Sequence, residues 1–199
     1  MNDLTDGLAR FRREVFPAKA ELFAHLATTH RPKTLFIGCS DARVVPELIT
    51  QSDPGELFVI RTAGNLVPAH SAGPDGIAAS IEYAVTVLHV TDIVICGHSS
   101  CGAMTALAEG HDLSAAPVVA GWLRHADAAR ARAAATPAEP GPAKVAALVR
   151  ANVAAQLQNL TTHPSVARAL AHRTLTLHGW VFDIATGTVD PVDATLVAA

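Results

Sequence analysis

Three short apolar runs constrain this chain more than any other feature: residues 34–38 (TLFIG), 56–61 (ELFVIR) and 92–97 (DIVICG). Each is rich in β-branched or aromatic side chains, and each is nearly continuous in its apolar character. Each therefore reads as a strand buried on both faces, the habit of parallel sheets. Parallel neighbours need long crossover connections, usually helical. The rest of the sequence supplies the helices. Ile77, Ile81, Tyr83, Ala84 and Leu88 follow Pro74-Asp75-Gly76, the pattern of a proline-started helix. Leu4, Leu8, Phe11 and Val15, then Leu22, Phe23 and Leu26, mark two N-terminal helices separated by Pro17. Residues 113–160 are alanine-rich with spaced Val118, Trp122, Val145, Leu148, Val153 and Leu157, and Pro137, Pro140 and Pro142 break them into two helical stretches. Two strand-like runs flank Ala185-Thr186-Gly187, a hairpin. The expected fold is α/β: an open, mainly parallel sheet of four to five strands flanked by helices. The expected organisation is a single domain, 1–199, with an N-terminal helical arm over 1–29.

The bulk numbers agree with one globular domain. The 199 residues are 50% hydrophobic, enough for a full core. Charged residues make up 17% and the net charge is -3, which excludes a basic nucleic-acid face; Arg10-Phe11-Arg12-Arg13 is too short to make one. No apolar stretch reaches membrane-spanning length. The opening MNDLTDGLARFRREVF carries acids and no apolar core of the secretory kind, so the cytoplasm is the expected compartment. Three cysteines, Cys39, Cys96 and Cys101, make a poor disulfide framework. Cys96 lies inside a predicted strand and reads as core.

The other two cysteines sit elsewhere. LFIG is followed by Cys39 and Asp41, and IVICG by His98 and Cys101. In parallel α/β sheets, ligands gather outside the carboxyl ends of strands. If these two strands are neighbours, Cys39, His98 and Cys101 converge with Asp41 beside them. Two thiolates and an imidazole are a zinc set, and three protein ligands leave a fourth position for water. Cys101 precedes a predicted helix, whose N-terminus favours a thiolate. Asp41 can accept a hydrogen bond from the metal's water or can displace it. Arg43, two residues on, can hold Asp41 in a bidentate pair and so decide between these. The alternatives are a closed structural zinc site with Asp41 as fourth ligand, and thiol redox chemistry, which the lack of a Cys-x-x-Cys pair disfavours.

CSDAR (39–43) with GHSSCG (97–102) resembles the β-class carbonic anhydrases, and PELITQSDPGELFVIRTAGNLVP, GIAASIEYAV and LHGWVFDIATG resemble the bacterial branch of that family. The resemblance covers nearly the whole chain, more loosely over 110–160. It implies reversible hydration of carbon dioxide to bicarbonate and a proton, with zinc hydroxide as nucleophile. It implies one Zn2+ per subunit on Cys39, His98 and Cys101, with Asp41 and Arg43 as the orienting dyad. The backbone N–H of Gly102 is the implied contact to substrate oxygen. The family forms homodimers, often paired into tetramers, with N-terminal helices packed on the partner subunit.

The sequence departs from the family in three places. Ala42 stands where a serine is usual. His30 stands where a substrate-positioning glutamine is frequent; its imidazole can still donate, with a charge that follows pH. Some bacterial members carry a regulatory bicarbonate pocket of Trp, Arg and Tyr; the matching positions here are Phe36, Arg61 and Phe182, so that regulation is not expected. His70, after NLVPA, is a candidate proton relay. Two competing functions remain: hydrolysis of carbonyl sulfide or carbon disulfide on the same zinc scaffold, and a non-catalytic zinc-stabilised protein.

Overall fold

The computed structural model describes residues 2–73, 75–135 and 139–193, and the chain divides into two compact units, Met1–Arg31 and Pro32–Ala199. In the first, α1 (Asn2–Arg10) runs on through a wider helical turn (Phe11–Val15) and a 3₁₀ turn (Pro17–Lys19) into α2 (Ala20–Leu26). Pro17 opens the 3₁₀ turn, where a missing N–H costs nothing, and that turn lies between α1 and α2, the two helices the sequence leads one to expect. Phe11, Phe16 and Phe23 pack together with ring centroids 5.5–6.1 Å apart. Leu4 and Leu8 on α1 stay 78% and 67% exposed.

The second unit is built on five strands: β1 (Thr34–Cys39), β2 (Leu57–Thr62), β3 (Asp92–His98), β4 (Thr176–Phe182) and β5 (Val189–Val192). Their order is β2-β1-β3-β4-β5. The first four are parallel, and β5 returns antiparallel on β4 after a turn in which Gly187 has φ 72. The three apolar runs are thus β2, β1 and β3, side by side, each beginning or ending within a residue of its expected bounds. After β1 the chain adds β2 on one side, then crosses back to lay β3 on the other. The carboxyl ends of β1 and β3 therefore flank a topological switch point, the place where open α/β sheets leave a crevice.

The helices of this unit are α3 (Pro46–Thr50), α4 (Gly76–Glu82, continued by a wider turn over Tyr83–Val87), α5 (Gly102–Glu109), α6 (Pro117–Leu123), α7 (Asp127–Ala135), α8 (Pro142–Thr161) and α9 (Pro164–Ala171). Asp75 caps α4, its Oδ1 accepting the Ile77 amide at 2.9 Å, so the helix starts at Gly76 behind an aspartate rather than at a proline; Pro74 and Pro137 lie outside the described residues. The alanine-rich segment holds three α-helices, not two, and α9 follows as a helix that the apolar spacing had not announced.

The core sits between the sheet and α8. Leu35, Ile37, Ile93 and Ile95 bury one sheet face against Val153, Leu157 and Leu160. Phe36, Val94 and Cys96 bury the other with Trp180 and Phe182. Helix α8 lies very close to β3 and β4 because two strand positions have no side chain. A Cβ on Gly97 would come 2.8 Å from Val153 Cγ2, and one on Gly179 would come 2.9 Å from Leu157 Cδ1. This close approach brings the polar residues of α8 up to the segment that follows β2.

Candidate active site

β1 ends in Cys39 and β3 in His98, and the two strands are hydrogen-bonded neighbours. Ser99 and Ser100 then turn the chain into α5. Ser100 takes a left-handed φ of 55, a conformation that costs a non-glycine residue about 1–2 kcal/mol, and Cys101 occupies the N-cap position of the helix. The result is the expected convergence. One donor atom each from Cys39, His98 and Cys101 lies within 4.8 Å of the others, and all three residues are buried.

The ring of His98 is oriented by its own turn. Nδ1 lies 2.9 Å from the carbonyl oxygen of Ser99. A carbonyl only accepts, so Nδ1 carries the proton and the neutral ring presents a bare Nε2 lone pair. That Nε2 is fully buried with no hydrogen-bond partner; among the described residues the only other such side-chain atom is Nδ2 of Asn65. An orphaned buried acceptor is costly and rare. Beside two thiols it has the form of a metal ligand.

The thiols are electrostatically prepared. Cys39 is held below the usual thiol range, first by the Cys101 side chain hydrogen-bonded to it, against the cost of burial, then by His98 and the amides of Asp41 and Gly64. Cys101 is pushed up by the same shared hydrogen bond and by burial, while the amides of Met104 and Ala103 at the start of α5 pull the other way. Burial alone would lower His98, but the adjacent Cys39 thiol group and the Ser99 carbonyl outweigh it and raise the imidazole. A divalent cation held by the three residues would satisfy all of these groups. Two sulfurs and one nitrogen are the donors zinc prefers, so the residues fit the ion the resemblance implies.

Asp41 and Arg43 stand at the rim. Arg43 donates from Nε to Asp41 Oδ1 at 2.9 Å and from Nη2 to Oδ2 at 2.7 Å, and its main-chain N–H also reaches Oδ1 at 2.9 Å. The Arg43 hydrogen bonds hold the Asp41 carboxyl well below the usual carboxylate range. Asp41 Oδ2 is 3.8 Å from His98 Nε2, and Arg43 Nη2 also donates to the Ser100 carbonyl at 3.2 Å, tying the two turns together.

Gly102 is the first residue of α5, and a Cβ there would meet nothing within 4 Å, so space is open above it. His30 belongs to the N-terminal unit. His70 donates its main-chain N–H to Thr162 Oγ1, and its ring stands edge-on to that of His163 at 5.5 Å. A cavity of about 600 Å3 between α5, α7 and α8 is lined by Leu107, Arg130, Lys144 and Leu148, among others, and includes none of the cluster residues.

Two supports lie outside the sequence expectations. Arg61, matched only to a regulatory pocket, instead reaches from β2 to the turn after β1. Its Nε donates to the Cys39 carbonyl at 3.0 Å, and its Nη2 to those of Asp41 at 2.6 Å and Val44 at 2.8 Å. The segment after β2 (Ala63–Asn65 and onward to Pro68) pairs with no strand, so side chains must satisfy its backbone. Trp122 Nε1 donates to Ala63 O, Asn152 Nδ2 to Gly64 O, Asn159 Nδ2 to Val67 O and His163 Nε2 to Pro68 O, while Gln156 Oε1 accepts from Val67 N. Polar residues within a helix give no sequence signal of such a role.

The carbonic anhydrase family profile matches residues 34–189. This chain belongs to the β-class carbonic anhydrases. It is 58% identical to a carbonic anhydrase of Pseudomonas aeruginosa over 97% of its own length and 88% of that relative's. It superposes on the β-carbonic anhydrase CcaA with a TM-score of 0.92 at 40% identity, covering 98% of this chain and 96% of that one. Tetrameric β-carbonic anhydrases of Sordaria macrospora superpose with a TM-score of 0.83 at 31% identity, covering 96% and 98%. The fold and family of this β-carbonic anhydrase support carbon dioxide hydration, and among the described residues no helix is long and apolar enough to cross a membrane.

Proposed function

We propose that this β-carbonic anhydrase hydrates carbon dioxide reversibly to bicarbonate and a proton at one zinc ion per subunit, held by Cys39, His98 and Cys101. The observation that carries this reading is the bare, fully buried Nε2 of His98 beside two thiols. Zinc bound there supplies a Lewis acid that makes a hydroxide nucleophile available from water near pH ~7. Asp41, kept ionised by Arg43, only accepts hydrogen bonds, so it would accept one from the attacking oxygen and leave that oxygen's lone pair aimed at carbon. Arg43 would keep that carboxylate from binding the metal in place of water. The N–H of Gly102, without an acceptor inside its helix, is offered to a substrate oxygen, where negative charge develops.

The exposed Leu4 and Leu8 of the arm support its packing on a partner subunit, within a single functional domain, and the tetrameric Sordaria relatives support a homodimer or dimer of dimers. The proposed compartment is the cytoplasm. The test is zinc content and stopped-flow carbon dioxide hydration on one purified sample, with carbonyl sulfide as a parallel substrate. One zinc per chain with rapid hydration is expected. Full zinc and no turnover from about pH 6 to 9 would make the metal purely structural. Negligible hydration with brisk sulfide release would reassign the substrate.

A further inference from the structure

We propose that Asn152 is a positioning residue of the metal centre, setting the Cys39 sulfur through the backbone of Gly64. The inference rests on the zinc reading above and extends it to a residue on α8 that no part of the sequence motif includes. Gly64 lies two residues beyond Thr62, the cross-strand partner of Cys39. Its N–H faces the Cys39 sulfur. Its carbonyl accepts from Asn152 Nδ2 at 2.9 Å, in a fully buried setting. Gly64 has φ 73, and a Cβ on it would come 3.1 Å from Ala103 Cβ and 3.2 Å from Met104 Cε on α5, the helix that carries Cys101 at its cap. The residue is thus held on one side by α5 and on the other by Asn152, with its donor aimed at a metal ligand.

Asn152 is fixed in turn. Gln156, one helical turn on and fully buried, donates from Nε2 to Asn152 Oδ1 at 2.9 Å, which fixes the amide with its nitrogen toward Gly64. The Oε1 of Gln156 accepts from Val67 N at 2.9 Å. An N–H aimed at a thiolate withdraws electron density from the sulfur and fixes its direction, and such outer contacts change metal affinity by roughly 10- to 100-fold. Asn159 is the natural comparison. It lies on the same face of α8 and holds the same segment through the Val67 carbonyl at 2.8 Å, but it reaches Asn152 only at second hand, through a longer 3.2 Å contact with Gln156 Oε1, and does not touch Gly64.

The experiment compares zinc-loaded wild type with Asn152→Leu, Asn152→Ser and Asn159→Leu. It reads the rate of zinc loss to a chelator, the thiolate-to-cobalt charge-transfer band after cobalt substitution, and the thermal midpoint. Both Asn152 variants are expected to lose zinc about 10-fold faster or more and to shift the cobalt band. Asn159→Leu is expected to lower the midpoint while leaving zinc loss and band unchanged. Should Asn152→Leu not fold, Asn152→Ser, which leaves room for water in place of the amide, decides alone. Native zinc retention with a native band in the Asn152 variants overturns the inference, and so does equal loosening in Asn159→Leu. A wild type that takes up neither zinc nor cobalt overturns the metal reading itself, a result separate from either.

Discussion

Arg43 holds Asp41 at both carboxylate oxygens, with Nε 2.9 Å from Oδ1 and Nη2 2.7 Å from Oδ2, while its own main-chain N–H also donates to Oδ1. The guanidinium side chain is 52% exposed, so water screens this pair and it contributes little to stability. Its effect falls on the position of one carboxylate. The Asp41 value is depressed, so its small stabilising share is present above the ordinary 3.8 and fades only as pH falls below it. Arg43→Ala is expected to keep zinc and nearly the native melting temperature, yet lose at least ~10-fold in turnover as Asp41 swings onto the metal. Metal analysis, calorimetry and stopped-flow on the same preparation separate these readouts; near-native turnover would remove the proposed role.

Arg61 carries the turn in which that dyad sits. One planar fork serves the carbonyls of Cys39, Asp41 and Val44, which a lysine cannot reproduce. Arg61→Ala and Arg61→Lys should both lower carbon dioxide hydration by about 10-fold or more, and added guanidinium should partly restore the alanine variant. If Arg61→Lys were as active as wild type, a single charge would suffice and the fork would be irrelevant.

The seat of α8 on the sheet depends on Gly97. A methyl there would fall 2.8 Å from Val153 Cγ2 and 3.1 Å from Val149 Cγ1. Gly97→Ala should destabilise the fold by about 1–3 kcal/mol in urea unfolding. Adding Val153→Ala removes the clashing methyl, so the double variant should be more stable than the sum of the two single losses. Strict additivity would show that the helix simply moves away.

His163 titrates against the fold. Burial lowers its value below the ordinary 6.5, partly offset by the Pro68 carbonyl at 3.0 Å from Nε2, with His70 lowering it further and Asp75 raising it. The folded state thus binds the proton less readily than the unfolded chain, and stability falls as pH drops below about 6.5. Urea midpoints measured from neutral to mildly acid pH should decline, and His163→Gln should flatten part of that decline. An identical slope in the variant would place the effect on other groups.

Much of this was readable in the residues. β1, β2 and β3 announce themselves because a strand buried on both faces needs an unbroken apolar run, and TLFIG, ELFVIR and DIVICG leave little alternative. The zinc-type donors were readable too, because Cys39 and His98 end such strands and Cys101 opens a helix. Helix α9 was not, and neither was the third α-helix of the alanine-rich stretch, since alanine favours helix everywhere and marks no boundary. Arg61 was matched to a pocket by resemblance, whereas its partners are main-chain carbonyls, which no side-chain pattern encodes.

The sequence by itself determined the strands, the donor types and the short Asp41–Arg43 spacing, because each depends on residues close together in the chain. Only the tertiary structure decided that β1 lies beside β3, that a bare imidazole nitrogen meets two thiols there, and that Asn152 reaches Gly64 across 88 positions of sequence. Those facts depend on the order in which strands join a sheet and on how closely one helix can rest on two glycines. Both are properties of packing in three dimensions, where a residue's neighbours are set by volume and backbone pairing rather than by its place along the chain.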